Sequence, residues 1–415
     1  MNSLLLIFVV ARLAQLTAEL SLAWLNRRWY SDGTRQGEAM RILGIASDDM
    51  QKTLAYSRDK YRFAVLTNVL TTVITLAFLA WGGLGWIEST LRQSSLPQGE
   101  ITQGLMFFAG LGFLSFLLSL PFEIWHTFRL EARHGFNKQT RSGFIQDRVK
   151  GILLAVVLGG PLLALVLWIM SQMGPLWWVW AWTALSLFSL FTAWAFPVLI
   201  SPLFNKFSPL PDGELKAGIL ELARKIGFRA AGISIMDGSR RTSHGNAYFT
   251  GVFGAKKIVL FDTLVSAMTP REVIAVLAHE LGHFKLHHIR WSLVRGLLMT
   301  GLVFWLLSLV LPMVQFYEAF GLAGVSHHGA LVVFSLWFGL IEFLMQPLSA
   351  AFSRRNEFAA DRFAWQHLGQ AQDLINALRK LREQSRSMPI SHPLFSAVYH
   401  SHPPLLERLQ VLMRL

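Results

Sequence analysis

A chain of 415 residues that is 53% hydrophobic and only 15% charged, with 15 Trp and 31 Phe, is too apolar for an ordinary soluble domain or a disordered one. Its formal net charge of +13 comes from basic stretches between apolar runs, which removes nucleic acid as a partner. It contains no cysteine, so disulfides and thiolate metal ligands are excluded.

In chain order, apolar runs near the roughly twenty residues needed to cross a bilayer fall at 3–25, 63–86, 102–122, 151–172, 176–199, 294–316 and 329–350. Arg12 and Glu19 interrupt the first, seven apart and so on one helix face. That run lacks the basic start and small-residue cleavage site of a signal peptide, so it is read as a span. The loop 26–61 is polar, partly helical and basic (Arg27, Arg28, Arg35, Arg41, Lys52, Arg58, Lys60). Only Arg92 lies between the second and third spans, whereas 123–150 is basic again. The links after the fourth and sixth spans carry no Lys or Arg, while 200–292 and 351–415 carry many. This alternation places the N-terminus outside and the C-terminus in the cytoplasm. Ionisable residues inside spans are costly and face an interior or a cavity. Arg12, Glu19, Glu123 and Glu342 therefore suggest a bundle with a polar or wet interior.

Pro197, Pro202, Pro209 and Pro211 mark an irregular entry into 200–292. A helix at about 213–227 and strands at 232–236, 246–253 and 257–261 follow, the strands forming a small antiparallel sheet. Thr269-Pro270-Arg271-Glu272 then reads as a capping box with proline at the first helical position. The helix it starts carries His279-Glu280-Leu281-Gly282-His283. Histidines four apart share a helix face and can grip one zinc ion, while the glutamate between them can hold the attacking water. A third protein ligand is needed, with a fourth position open. His287 and His288 do not extend the motif, because Leu286 and Ile289 stand where its glycine and third histidine belong. Glu357, in Arg355-Asn356-Glu357-Phe358-Ala359-Ala360-Asp361, is the best candidate. Asp361, one turn on, can accept a hydrogen bond from a ligand histidine and fix its tautomer. The tail adds a helix near 371–384 and another after Pro403-Pro404.

The fold expected is mostly α. Seven transmembrane helices surround a chamber, and a cytoplasmic zincin-type catalytic region carries a small β-sheet. The division runs as spans one to five (1–199, with cytoplasmic loops 26–61 and 123–150), a cytoplasmic catalytic piece (200–292), spans six and seven (293–350) and a cytoplasmic catalytic segment (351–415). An even number of crossings separates His279 and His283 from Glu357, so all three fall on one side.

Further blocks stand in the same order: Ala55-Tyr56-Ser57-Arg58-Asp59-Lys60, Glu131 to Thr140 with Gly135-Phe136-Asn137-Lys138, Ser243-His244-Gly245-Asn246-Ala247-Tyr248-Phe249-Thr250-Gly251, and Lys257 to Leu264. With the spans, HELGH and RRNEFAAD, the chain resembles the type I CaaX prenyl endopeptidases, integral-membrane gluzincin zinc metalloproteases. The resemblance implies one Zn(2+) per chain on His279, His283 and Glu357, with Glu280 as base and Asp361 as the acid behind the ligands. It implies that Asn246 and Ala247 lie on an edge strand that pairs with substrate, and that His402, in Ser401-His402-Pro403-Pro404, hydrogen-bonds the oxyanion. Arg408 would brace that tail. The expected partners are the lipid bilayer and a peptide or protein substrate, lipidated or not. The brief link between spans six and seven and the lack of an ER-retention signal suit a bacterial inner-membrane member with its site facing the cytoplasm. A quality-control protease for damaged membrane proteins would use the same site. A transporter or an assembly factor would leave the intact motif unexplained.

Overall fold

In lipid every backbone N–H and C=O must find its partner within the segment, so apolar runs of bilayer length become helices. The computed structural model describes residues 2–228, 230–250 and 256–415. It contains seven helices long and apolar enough to cross a membrane: α1 (Ser3–Tyr30), α2 (Ser47–Ala80), α3 (Glu100–Glu131), α4 (Arg141–Gln172), α5 (Gly174–Phe204), α8 (His288–Val310) and α9 (His327–Leu368). Shorter helices outside the spans include α6 (Glu214–Lys225), α7 (Pro270–Lys285), α10 (Gln372–Ser385) and α11 (Leu405–Leu412).

Several helices outrun the apolar stretches that announce them. α2 begins at Ser47, sixteen positions before its apolar run at 63. α9 does not stop at the membrane boundary: it continues to Gly369, a left-handed residue at φ 75° that ends it. Glu357 therefore sits on the seventh spanning helix itself. Hydropathy marks where lipid ends, but a helix ends only where its hydrogen bonding is broken.

The spanning helices close into a ring. α1 packs on α2, α3 on α4, α4 on α5, α5 on α8, α8 on α9 and α9 on α1, while a short helix, Gly83–Gln93, joins α2 to α3. The ring is hollow. A solid bundle buries a stripe along the whole length of each helix. Here every residue of α9 from 335 to 349 is at least partly exposed, around the full circumference. α3 buries only Gly104 and Phe107 over Glu100–Trp125, and α8 only Phe304 and Leu307. Apolar packing collects at the two ends. Leu5, Phe8, Leu79, Phe107, Trp177, Tyr317 and Ala330 belong to one core, which closes the end holding the N-terminus of α1. The other core lies under α6, α7 and α10 and includes Ile258, Leu260, Val273, Leu277 and Leu281. Between them the helices carry polar contacts: Arg12 donates to Thr72 Oγ1 (2.8 Å), Asn68 donates to Glu19 (2.7 Å), and Arg148 pairs with Glu123 at 2.6 Å. Glu342 is exposed in the hollow stretch of α9.

Four strands form the sheet: β1 (Phe207–Pro209), β2 (Ala230–Met236), β3 (Ala247–Thr250) and β4 (Lys256–Phe261), in the order β1-β2-β4-β3. The sheet is mixed, not antiparallel as its alternation suggested, because β2 and β4 run parallel. The chain leaves β2, passes to the far edge to form β3, and returns as β4 into the middle. Period-two patterning identifies strands but carries no direction. The expected strand 246–253 is described only as far as Thr250. β3 is an edge strand, with Ala247 opposite Leu260.

Candidate active site

The capping box forms as read: Thr269 N–H donates to Glu272 Oε2 (2.7 Å), Glu272 N–H donates to Thr269 Oγ1 (3.4 Å), and Pro270 opens α7. Lys380 on α10 holds Glu272 at 2.6 Å. Val273, Ala275, Leu277 and Ala278 are completely buried, so α7 is locked into the core it shares with α6 and α10. The next turn carries His279 and His283 toward α9. Gly282 eases the approach: a Cβ there would lie 3.1 Å from the Cα of Ala360, a tight contact that the bare backbone avoids where the two helices meet.

That contact brings three ligand atoms together. His279 Nε2 is 3.2 Å from His283 Nε2 and 3.4 Å from Glu357 Oε2, and His283 Nε2 is 3.2 Å from Glu357 Oε1. A tetrahedral zinc ion with ligands at about 2.0–2.1 Å spaces neighbouring ligand atoms about 3.3 Å apart. The three gaps match that spacing. Buried Glu357 Oε2 makes no hydrogen bond among the described residues, as a group awaiting a cation would not. The residues present fit a metal ion.

Behind the ligands, Asp361 Oδ1 stands 2.7 Å from His279 Nδ1. Arg408 grips the same carboxylate through Nε (2.9 Å) and a second nitrogen (2.6 Å), and lies 3.6 Å from Glu357 Oε2. Arg408 is itself buried against the Asp361 and Glu357 carboxylates. His287 and His288, which do not extend the motif, take different places. His288 Nδ1 is 3.0 Å from His283 Nδ1, whereas exposed His287 forms the left-handed joint between α7 and α8. Burial of the His279 ring opposes its protonation, but Asp361 and Glu357 outweigh it and raise its pKa to about 9. Burial also raises the Glu280 carboxyl, against the pull of His279 and His283.

His402 reaches in from the tail, its Nε2 3.3 Å from Glu357 Oε1 and its side chain 64% exposed. It does not join the three-residue ligand cluster. Asn246 is exposed at the start of β3, where its own Oδ1 accepts from Ala247 N–H. The remaining sequence blocks converge beside it. Tyr56 donates to Glu131 (2.6 Å), His134 meets Asp59 (2.9 Å), Phe136 stacks on His244, and Asn137 bridges to Thr242. Nothing in the sequence announces these contacts beyond the blocks themselves.

A hollow ring of membrane helices with an HExxH helix and a distant glutamate gathered at one end defines an integral-membrane metallopeptidase. Residues 39–206 match the description "CAAX prenyl protease N-terminal, five membrane helices", and 209–415 match "Peptidase family M48". The chain belongs to this peptidase family. It is 39% identical over 378 residues to "CAAX prenyl protease 1 homolog" of Arabidopsis thaliana, covering 89% of each chain. It is 36% identical to "CAAX prenyl protease 1" of Saccharomyces cerevisiae, covering 89% of this chain and 86% of that one. The crystal structure of S. mikatae Ste24p superposes with a TM-score of 0.92 at 33% identity, covering 99% of both.

Proposed function

We propose that this chain is a zinc endopeptidase of the CaaX type, cutting a peptide or protein, lipidated or not, whose chain enters the helical ring. The observation that carries this is the spacing of His279 Nε2, His283 Nε2 and the Glu357 carboxylate, which suits one tetrahedral zinc per chain. When bound, the ion supplies Lewis acidity toward the scissile carbonyl and acidifies water. Glu280 takes a proton from that water and passes it to the leaving amine, a task suited to a carboxyl raised by burial. Asp361 keeps the His279 proton on Nδ1, so Nε2 stays free to ligate. His402 Nε2–H stabilises the developing oxyanion. Asn246 and the free edge of β3 hold the substrate backbone extended. The catalytic groups come from 200–292 and 351–415, on the cytoplasmic face of what we take as a bacterial inner membrane. Reporter fusions near Ser95 and at Leu415 are expected in opposite compartments, with Leu415 cytoplasmic; one shared side would reverse this orientation.

The test of function uses purified, zinc-loaded protein. Cleavage of a farnesylated CaaX peptide is compared with that of its unprenylated twin, with a chelator and Glu280→Ala as controls. Chelator-sensitive cutting that prefers the lipidated peptide is expected. Equal cutting of both peptides would make the lipid incidental and favour a quality-control role.

A further inference from the structure

His402 owes its place to its backbone more than to its ring. The side chain is largely exposed, and besides Glu357 its ring meets the hydroxyl of the adjacent Ser401 at 2.9 Å. An imidazole packed so loosely delivers its N–H to one point only if the chain on both sides of it is fixed.

Both sides are fixed, and both to α9. After His402, Pro403 and Pro404 are buried with φ set by their rings, and Arg408 ties this stretch to Asp361. Before it, the short helix Pro393–Tyr399 packs against α1 and α9. The start of that helix is tied to α1, where Asn26 Oδ1 accepts from the Ser391 hydroxyl and from His392 N–H, both at 2.9 Å. Its end is tied to α9 by Arg354. One terminal nitrogen of the guanidinium serves the carbonyls of Ser396 (2.7 Å), His400 (3.0 Å) and Ala397 (3.3 Å), sharing its protons among them.

The last carbonyls of a helix lack partners within it and carry partial negative charge, so a cation is well placed there. Among the described residues no carboxylate forms an ion pair with Arg354, and backbone oxygens are its acceptors. Arg355, its neighbour in the RRNEFAAD stretch, is exposed and makes no such contact. On α9, Arg354, Glu357 and Asp361 follow at offsets of three and four, along one helix face. Arg354 reaches out to the chain before His402, and Arg408 reaches back from the chain after it. His402 hangs between these two ties, opposite Glu357.

We propose that Arg354 is the positioning residue for the oxyanion donor: by gathering the carbonyls at the end of helix Pro393–Tyr399, it sets the point to which His402 Nε2–H is delivered. It acts through His402 and takes no part in bond cleavage itself. This deepens the peptidase reading and rests on the role given there to His402.

The test follows kcat, KM and zinc affinity, with the farnesylated CaaX peptide, in Arg354→Gln, His402→Ala and the double variant. A donor held off its point loses most of its effect, so Arg354→Gln lowers kcat roughly ten- to hundredfold. KM and zinc affinity stay within about twofold of wild type, because binding and the metal do not depend on that aim. In the His402→Ala background Arg354→Gln adds less than about twofold, since no donor is left to aim. Arg355→Gln, the same change of charge one position on, leaves kcat unchanged. Equal losses in the two backgrounds, a loss of zinc that accounts for the loss of rate, or a wild-type kcat in Arg354→Gln overturns the proposal. Should Arg354→Gln fold poorly, Arg354→Lys takes its place in the same cycle, because an ammonium lacks the guanidinium's spread of donors; its loss of rate must likewise vanish in His402→Ala. A wild-type kcat in His402→Ala overturns the role of His402, and that of Arg354 with it, but leaves the peptidase reading standing. Failure of the zinc-loaded wild type to cut the peptide overturns that reading too.

Discussion

Asp361→Asn isolates what the second rank of residues does for the metal site. The carboxylate is 1% exposed and faces three nitrogens: His279 Nδ1 at 2.7 Å, and the Arg408 donors at 2.6 and 2.9 Å. An amide has one oxygen. If it stands at Oδ1, it keeps His279 Nδ1 and one Arg408 nitrogen, while the NH2 group opposes Arg408 Nε and the buried guanidinium loses its carboxylate charge. If it stands at Oδ2, the NH2 group opposes His279 Nδ1 and the other Arg408 nitrogen, and the ring is free to take the tautomer that blocks Nε2. Either arrangement weakens the site. Loss of such an outer partner typically costs tenfold to a hundredfold in metal affinity, about 1.4 to 2.7 kcal/mol. Zinc affinity measured by chelator competition checks this, with metal-free thermal stability followed in parallel. The double change Asp361→Asn with Arg408→Met is expected to cost less than the sum of the two, because they share one ion pair. Wild-type zinc affinity in Asp361→Asn, or strict additivity in the double variant, would refute the account.

Glu280→Gln is expected to retain zinc and fold while losing roughly a hundredfold to ten-thousandfold in rate, whereas His283→Ala loses the metal itself; metal content and kcat measured together separate the two. With the His279 pKa raised to about 9 from an unfolded value of about 6.5, the metal-free fold gains stability that is fully present below about pH 6.5 and is lost as pH rises through about 9. Zinc must displace that proton, so its affinity falls about tenfold for each unit of pH below 9, and about one proton is released per zinc at pH 7; a weakly buffered titration with no proton release would contradict this. Gly282→Val drives a branched side chain into the backbone at Ala360 and forces α7 from α9, which overpacking costs place at about 1–3 kcal/mol; it should lower both thermal stability and zinc occupancy.

The cluster of His279, His283 and Glu357 was legible because metal chemistry restricts both residue type and spacing. His279 and His283 needed only a four-residue offset on a capped helix, and Glu357 with Asp361 repeated that offset elsewhere. Arg408 was less so: its identity was visible, but its target lies 47 positions away on another helix, and no periodicity encodes that pairing. The same holds for Tyr56 with Glu131 and for Phe136 with His244, which sequence presents as separate blocks. The continuity of α9 was hidden for a different reason. Hydropathy falls after Ala350, and the eye ends the segment there, although no glycine or proline stops the backbone until Gly369. The parallel pairing of β2 and β4 depends on where β3 inserts, a topological fact that no strand carries in its own residues.

The two apolar cores at the ends of the ring divide the labour of holding it together. Like staves gripped at head and foot, the helices owe their alignment to Phe107, Tyr317 and Ala330 at one end and to Leu277, Leu281 and Ile258 at the other. Their middles touch little, so tolerance to substitution should be banded with depth. Intolerant belts lie at the two ends, and a permissive waist between them can change its side chains, and with them the shape and polarity of the space they enclose, without unmaking the vessel.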